Sequence, residues 1–139
     1  SVVDAVSIPV IANGDIRCPD TALQAIAASG AAGVMVGRGA QGRPWLLAQI
    51  GDVLAGRKMR PIPTIRERHA LMRLHLDDMI AHYGPAAMRL ARKHIAWYAH
   101  GLPGAAELRD CANNSTDASR VFVAVDQFFE DLYQRAEAA

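Results

Sequence analysis

The sequence predicts an α/β segment over residues 1–56 followed by an all-α segment over residues 57–139. Three observations carry this reading. The first forty residues alternate strand, helix and strand signals, with a glycine turn after each strand. From Thr64 onward the apolar residues fall at helical spacing, in runs that end at glycine, proline or asparagine. Between the two segments lies Gly56-Arg-Lys-Met-Arg-Pro-Ile-Pro63, a basic, proline-containing connection.

Ser7 to Asn13 reads as a short buried strand, because Val10, Ile11 and Ala12 form an apolar run closed by the turn signal Asn-Gly-Asp. Pro19 to Ser29 reads as a helix: proline is tolerated in a first turn, Ala22, Ile26 and Ala27 give an apolar stripe, and Gly30 ends it. Gly33 to Gly37 is a second strand, followed by Gly37-Arg-Gly39. Such a unit normally makes two parallel strands joined by a right-handed crossover. A further helix is expected from Arg43-Pro-Trp45 to Leu54.

Four helices are then expected. Thr64 to Tyr83 opens with Thr64 and Glu67 in capping-box spacing, with Leu71, Leu74, Met79 and Ile80 as its apolar side. Gly84-Pro85 breaks it. Ala86 to His100 is stopped by Gly101-Leu-Pro-Gly104, and Ala105 to Ala112 by Asn113-Asn114. Asp117 to Ala136 carries Val121, Val125, Phe128, Phe129 and Leu132 for burial. Two parallel strands need both faces covered and both edges paired. The expectation is therefore a larger α/β protein whose earlier part lies outside this chain.

The net charge of +1 is uninformative, but its distribution is not. Arg57 to Arg109 holds ten Lys/Arg against four Asp/Glu, whereas the residues after Arg109 hold two against six. One basic face suited to a polyanion is one reading, and a solvated helix surface is the other. Cys18 and Cys111 match no metal-ligand spacing and read as free thiols. The histidines form no His-x-x-x-His pair, so no metal is expected. The uncharged run Thr21 to Gly37 is too short and too interrupted for a membrane span, which leaves a cytoplasmic setting as the expectation.

Asn13-Gly14-Asp15 and Gly37-Arg38-Gly39 each follow a strand directly. Glycine lets backbone N–H groups approach an anion closely, and a following helix N-terminus adds partial positive charge. In barrels of the TIM type a phosphate site is often built by the loops after the last two strands, and these loops match that position. The alternative is that both are tight turns selected only for geometry.

Ile8-Pro-Val-Ile-Ala-Asn-Gly-Asp-Ile16, Gly33-Val-Met-Val-Gly-Arg-Gly-Ala-Gln-Gly-Arg-Pro-Trp45, Arg92-Lys-His-Ile-Ala-Trp-Tyr98 and Gly101-Leu-Pro-Gly104 closely resemble the tRNA-dihydrouridine synthases, above all the bacterial B-type branch. The resemblance covers essentially the whole chain. It implies the final strands and helices of an FMN-binding TIM-type barrel, followed by a helical bundle that helps hold tRNA. It also implies reduction of uridine to 5,6-dihydrouridine, with NADPH reloading the flavin. On this resemblance Asn13, Gly14 and Asp15 match one phosphate-side FMN segment, and Gly37 and Arg38 match the other. Asp15 is expected to fix its loop rather than face the phosphate, since like charges repel. The family's catalytic acid is a cysteine on an earlier barrel loop, and neither Cys18 nor Cys111 sits in a matching motif. No catalytic residue is therefore assigned, and the chain alone is expected to be inactive.

Candidate RNA contacts are Arg89, Arg92, Lys93, Tyr98 and Arg109. Arg92 has two open readings, a phosphate contact or an ion pair with an acidic residue on a neighbouring helix. Trp97 and Tyr98 point to different sides of a helix; Trp97 is expected in the core, leaving Tyr98 to stack on a nucleotide. His94 is expected to pack rather than bind. Two other functional readings stand beside the synthase: a stand-alone RNA-binding helical module, and another FMN barrel enzyme sharing the phosphate loops. The Arg92-to-Tyr98 segment and the basic bundle argue against the last.

Overall fold

In the computed structural model, which describes residues 1–138, Ile11–Asn13 (β1) and Gly33–Met35 (β2) pair as parallel strands. The register sets Ile11 opposite Gly33, Ala12 opposite Val34 and Asn13 opposite Met35. Both strands are shorter than the apolar runs suggest. Pro9 has no N–H to give to a ladder, and after Met35 the chain turns toward a 3₁₀ turn at Arg38–Ala40. A short helix, Val2–Ala5 (α1), precedes β1 and was not foreseen.

The crossover helix Pro19–Ser29 (α2) has the expected bounds and ends at Gly30, whose φ of 69° closes the last turn. Thr21 secures its start. The Thr21 hydroxyl accepts from the N–H groups of Arg17 (3.0 Å) and Cys18 (3.1 Å) and donates to the Cys18 carbonyl (2.8 Å). Helix Trp45–Leu54 (α3) packs on α2. Ile16, Ala22, Leu46 and Ile50 form the core between these helices and the strands, with Ala25, Val34 and Val36 against it. On the strands, Ile11 and Met35 remain more than half exposed.

Residues 57–62 fold back onto α3, so the first compact unit runs from Ser1 to Ile62 rather than ending at residue 56. The cause is Asp52, whose carboxylate is almost fully buried. It accepts from Arg60 Nε at 2.7 Å, from the Arg60 backbone N–H at 3.2 Å and from Arg57 Nη2 at 3.0 Å. Gln49, also buried, donates to the Arg60 carbonyl at 3.1 Å. A carboxylate in the last turn of a helix opposes the helix dipole, and the two guanidinium groups offset this. The Arg60 hydrogen bonds, aided by Arg57, hold the Asp52 carboxyl far below the usual carboxylate range. A folded pKa below the unfolded value of about 4 stabilises the fold above that pH and loses the contribution as pH falls below it. Asp52→Asn should therefore lower the urea midpoint of this unit at pH 6, and the gap to wild type should close as pH drops from about 4 toward 2. A gap independent of pH would show that the carboxylate's charge is not what holds the connection. Trp45 fluorescence in a Trp97→Phe background reports this unit alone.

The second unit begins at Pro63 and, among the described residues, contains four α-helices: Ile65–Tyr83 (α4), Ala87–Ala99 (α5), Ala105–Asn114 (α6) and Ala118–Glu137 (α7). Helices α4 and α6 each lie beside both α5 and α7. Thr64 and Glu67 form the expected capping box, with the Thr64 N–H donating to Glu67 at 2.7 Å and the Glu67 N–H to Thr64 at 3.3 Å. Asp117 caps α7 through the N–H groups of Ser119 and Arg120. Helix α6 runs through the two asparagines expected to stop it, because the Asn114 amide bonds back to the Asp110 carbonyl at 2.9 Å. The buried side of α4 is Met72, Leu76 and Met79, and Leu74 is 58% exposed, which corrects the stripe read from the sequence. All five apolar residues expected to be buried on α7 are buried. A polar strap crosses from α4 to α7: His69 sits 2.7 Å from Asp126 Oδ1 and 2.9 Å from the Tyr133 hydroxyl, and Arg73 bonds Asp126 at 3.0 Å.

Candidate functional site

The turn after β1 and the turn after β2 face each other across a cleft of about 370 Å³. Asn13, Gly14, Asp15, Ile16 and Arg17 line one side, and Gly37, Arg38 and Gly39 the other. All five sequence-derived phosphate candidates are thus brought to one place. Gly14 has φ 149° and Asp15 φ 45°, a left-handed pair that makes the sharp turn. Glycine takes such values freely, and aspartate is one of the few other residues that tolerate them. Side-chain-sized space at Gly14 and Gly37 is open, since a Cβ at either would meet nothing within 4 Å. Their backbones are therefore approachable by a ligand.

Asp15 lines the cleft and ties the residues around it. Its carboxylate takes Arg17 Nη2 at 2.8 Å and Arg38 Nη2 at 3.5 Å. The Arg17 hydrogen bond, then the charges of Arg17 and Arg38, hold the Asp15 carboxyl below its ordinary value. Two guanidinium groups against one carboxylate leave the cleft with one net positive charge. With approachable glycine backbones, this donor set fits a phosphomonoester. Arg17 was missed in the sequence. It follows the turn motif by two positions, and nothing in its spacing says that it folds back over Asp15.

In the helical unit Arg89, Lys93 and Arg109 are exposed, and Arg92 is half-buried. Among the described residues no ion pair engages any of these four. The acidic-partner reading of Arg92 is therefore not realised; its Nε is buried and has no hydrogen-bond partner. Lys93 lies over the Trp97 ring at 5.8 Å. Tyr98 is corrected: it is 9% exposed, with its hydroxyl 3.4 Å from His75 Nδ1, and presents no face for stacking. Met88, Ala91, Ile95 and Tyr98 share one buried stripe at intervals of three and four, and Trp97 falls beside that stripe. His94 packs edge-on against His75 (4.8 Å) and Trp97 (5.0 Å), as expected. Five of the six other basic residues of the middle region are engaged within the protein: Arg57 and Arg60 with Asp52, Arg66 over the Tyr133 ring, Arg68 with the Pro63 carbonyl, and Arg73 with Asp126; the sixth, Lys58, is exposed. Among the described residues no helix is long and apolar enough to cross a membrane.

The first unit is thus a parallel α/β unit whose two post-strand turns enclose one cationic cleft, and a helical unit follows it. The chain belongs to the dihydrouridine synthase family, whose model matches residues 1–136. It is 44% identical over 130 residues to the probable tRNA-dihydrouridine synthase of Rickettsia prowazekii, covering 93% of this chain and 40% of that protein. Against the tRNA-dihydrouridine synthase B of Pseudomonas syringae pv. tomato the identity is 41% over 126 residues, 90% of this chain and 37% of the relative. Against that of Xanthomonas axonopodis pv. citri it is 37% over 129 residues, 92% and 39%. The chain spans about two-fifths of the length of these curated relatives.

Proposed function

We propose that this chain supplies the FMN-phosphate end of a TIM-type barrel and the tRNA-binding helical domain of a tRNA-dihydrouridine synthase. The cleft between the two glycine turns carries the reading. The backbone N–H groups of Gly14 and of Gly37 or Arg38 would hold phosphate oxygens, with Arg17 and Arg38 contributing charge. Asp15 orients both guanidinium groups and would be displaced from Arg38 by the stronger dianion. The exposed faces of Ile11 and Met35 support the barrel assignment, because parallel strands are normally covered on both sides. When bound, FMN supplies the hydride that saturates the C5=C6 bond of uridine, and NADPH is the reductant that restores it. Arg89, Arg92, Lys93 and Arg109, none of them in an ion pair among the described residues, would make phosphate contacts with tRNA, which would give affinity without sequence preference. Turnover on this reading belongs to a polypeptide that also contains the rest of the barrel and a catalytic cysteine loop, and this chain alone is inactive.

The test uses the complete open reading frame that contains this chain. The purified product should carry flavin and form dihydrouridine in tRNA with NADPH. Arg38→Ala should lower FMN affinity about ten- to a hundredfold, the loss of one charge-assisted hydrogen bond worth about 1.5–3 kcal/mol. Absence of both flavin and dihydrouridine would refute the proposal. Unchanged FMN binding in Arg38→Ala would assign the phosphate to the backbone amides and Arg17.

A further inference from the structure

We infer that Arg43, which does not line the cleft, is the positioning residue that holds its two walls together. Arg43 lies between the 3₁₀ turn and α3, and its backbone is fixed there: its N–H donates to the Ala40 carbonyl at 3.0 Å, and its carbonyl accepts from Leu46 at 3.0 Å. From this base one nitrogen, Nη2, donates to the Gly39 carbonyl at 3.0 Å and to the Arg17 carbonyl at 3.3 Å. One acceptor belongs to the turn after β2 and the other to the turn after β1.

These turns also touch directly. A Cβ on Gly39 would collide with the Ile16 carbonyl oxygen and lie 3.1 Å from Arg17 Cα. The walls therefore meet backbone to backbone at Gly39, and Arg43 spans that contact. Among the described residues the other side-chain link between the walls is the longer, exposed Arg38–Asp15 contact at 3.5 Å, and each wall is tied to a different helix. Thr21 of α2 holds the N–H groups of Arg17 and Cys18, and the 3₁₀ turn runs on toward α3. Without Arg43 the Arg17 and Gly39 carbonyls lose their shared donor, and the spacing of the Gly14 and Gly37 amides is no longer fixed. An anion gripped from both sides is sensitive to that spacing, because preorganised donors lose less on binding. The consequence for FMN rests on the function proposed above; the consequence for loop order does not.

The test compares Arg43→Met, which keeps length and removes the donors, with Arg43→Lys. Because both bonds come from one nitrogen, a lysine ammonium with three N–H groups can supply both. Hydrogen exchange of the whole ligand-free chain is the first readout. Arg43→Met should speed exchange about three- to tenfold in residues 14–18 and 37–41, and Arg43→Lys should restore it to within about twofold. Unchanged exchange in either turn, or lysine no better than methionine, would overturn the inference. So would faster exchange throughout residues 1–62, which would make Arg43 a general stability residue. The second readout, in the complete open reading frame, is affinity for FMN against riboflavin. Arg43→Met should weaken FMN and leave riboflavin unchanged, and equal weakening of both would overturn a phosphate-directed role. If the wild type binds no FMN, the flavin reading falls while the exchange result still judges Arg43.

Discussion

Phe129→Ala should destabilise the helical unit by about 3–5 kcal/mol, the usual penalty for emptying a buried aromatic site. Phe129 is 1% exposed and heads the fully buried side chains by size. Its ring packs edge-on against Phe128 at 5.2 Å and stacks on His69 at 4.6 Å, with the two planes within 12°. The truncation therefore leaves a cavity and also frees the histidine that bonds Asp126 and Tyr133. A unit of this size has total stability of about 4–11 kcal/mol, so the variant should be marginal or unfolded at room temperature. Residues 63–139 expressed alone should melt cooperatively, since the four helices bury a shared core. The variant's midpoint should fall by roughly 15–30 °C in circular dichroism. Leu74→Ala is the matched control: at 58% exposure it should shift stability by no more than about 0.5 kcal/mol. Equal losses in the two variants would mean that the packing of α7 on α4 is wrong.

That pair of variants marks where the sequence was legible. On α7 Val121, Val125, Phe128, Phe129 and Leu132 repeat at intervals of three and four along the whole helix, whereas the competing Phe122, Val123 and Ala124 are confined to its first turns, so the stripe is readable. On α4 Leu71, Met72, Leu74, Leu76, Met79 and Ile80 define two overlapping stripes. Choosing between them needs the positions of α5 and α7, which local spacing does not contain. Tyr98 and Trp97 pose the same problem one residue apart, and the register of Met88, Ala91 and Ile95 decides it. Helix starts were readable because caps are local: Thr64 with Glu67 and Asp117 with Ser119 act within three residues.

The site divides along the same line. Asn13-Gly14-Asp15 and Gly37-Arg38 were visible because a glycine turn directly after a short apolar run is a local signal with a physical reason. The residues that organise those turns were not. Arg43 reaches carbonyls 26 and 4 residues away, and Asp52 collects guanidinium groups 5 and 8 residues on. An arginine bound to carbonyls and one free in solvent look identical in sequence. The basic middle of the chain read as a single electrostatic feature, yet Arg57, Arg60 and Arg73 are spent on internal carboxylates. The cations left for a polyanion are Lys58 in the connection and those on α5 and α6.

Gly39→Ala should be the most damaging single-methyl change in the first unit. The added Cβ would overlap the Ile16 carbonyl oxygen and crowd Arg17 Cα, and both obstacles are backbone. No rotamer can relieve the clash, so the two turns must separate. Overpacking of this kind costs about 1–3 kcal/mol, and here the displaced atoms are also the walls of the cleft. Gly51→Ala gives the opposite sign. Gly51 lies within α3, a Cβ there meets nothing within 4 Å, and the change should stabilise by about 0.5–1 kcal/mol through helix propensity. Urea unfolding followed by Trp45 fluorescence, with Trp97 replaced by phenylalanine, resolves both shifts. In the complete open reading frame Gly39→Ala should also lose FMN affinity tenfold or more, about 1.4 kcal/mol, while Gly51→Ala keeps it. If Gly39→Ala loses stability but binds FMN normally, the contact between the turns serves only the fold. If it loses neither, the two turns do not meet backbone to backbone at Gly39 in solution, and the cleft they enclose is wider there.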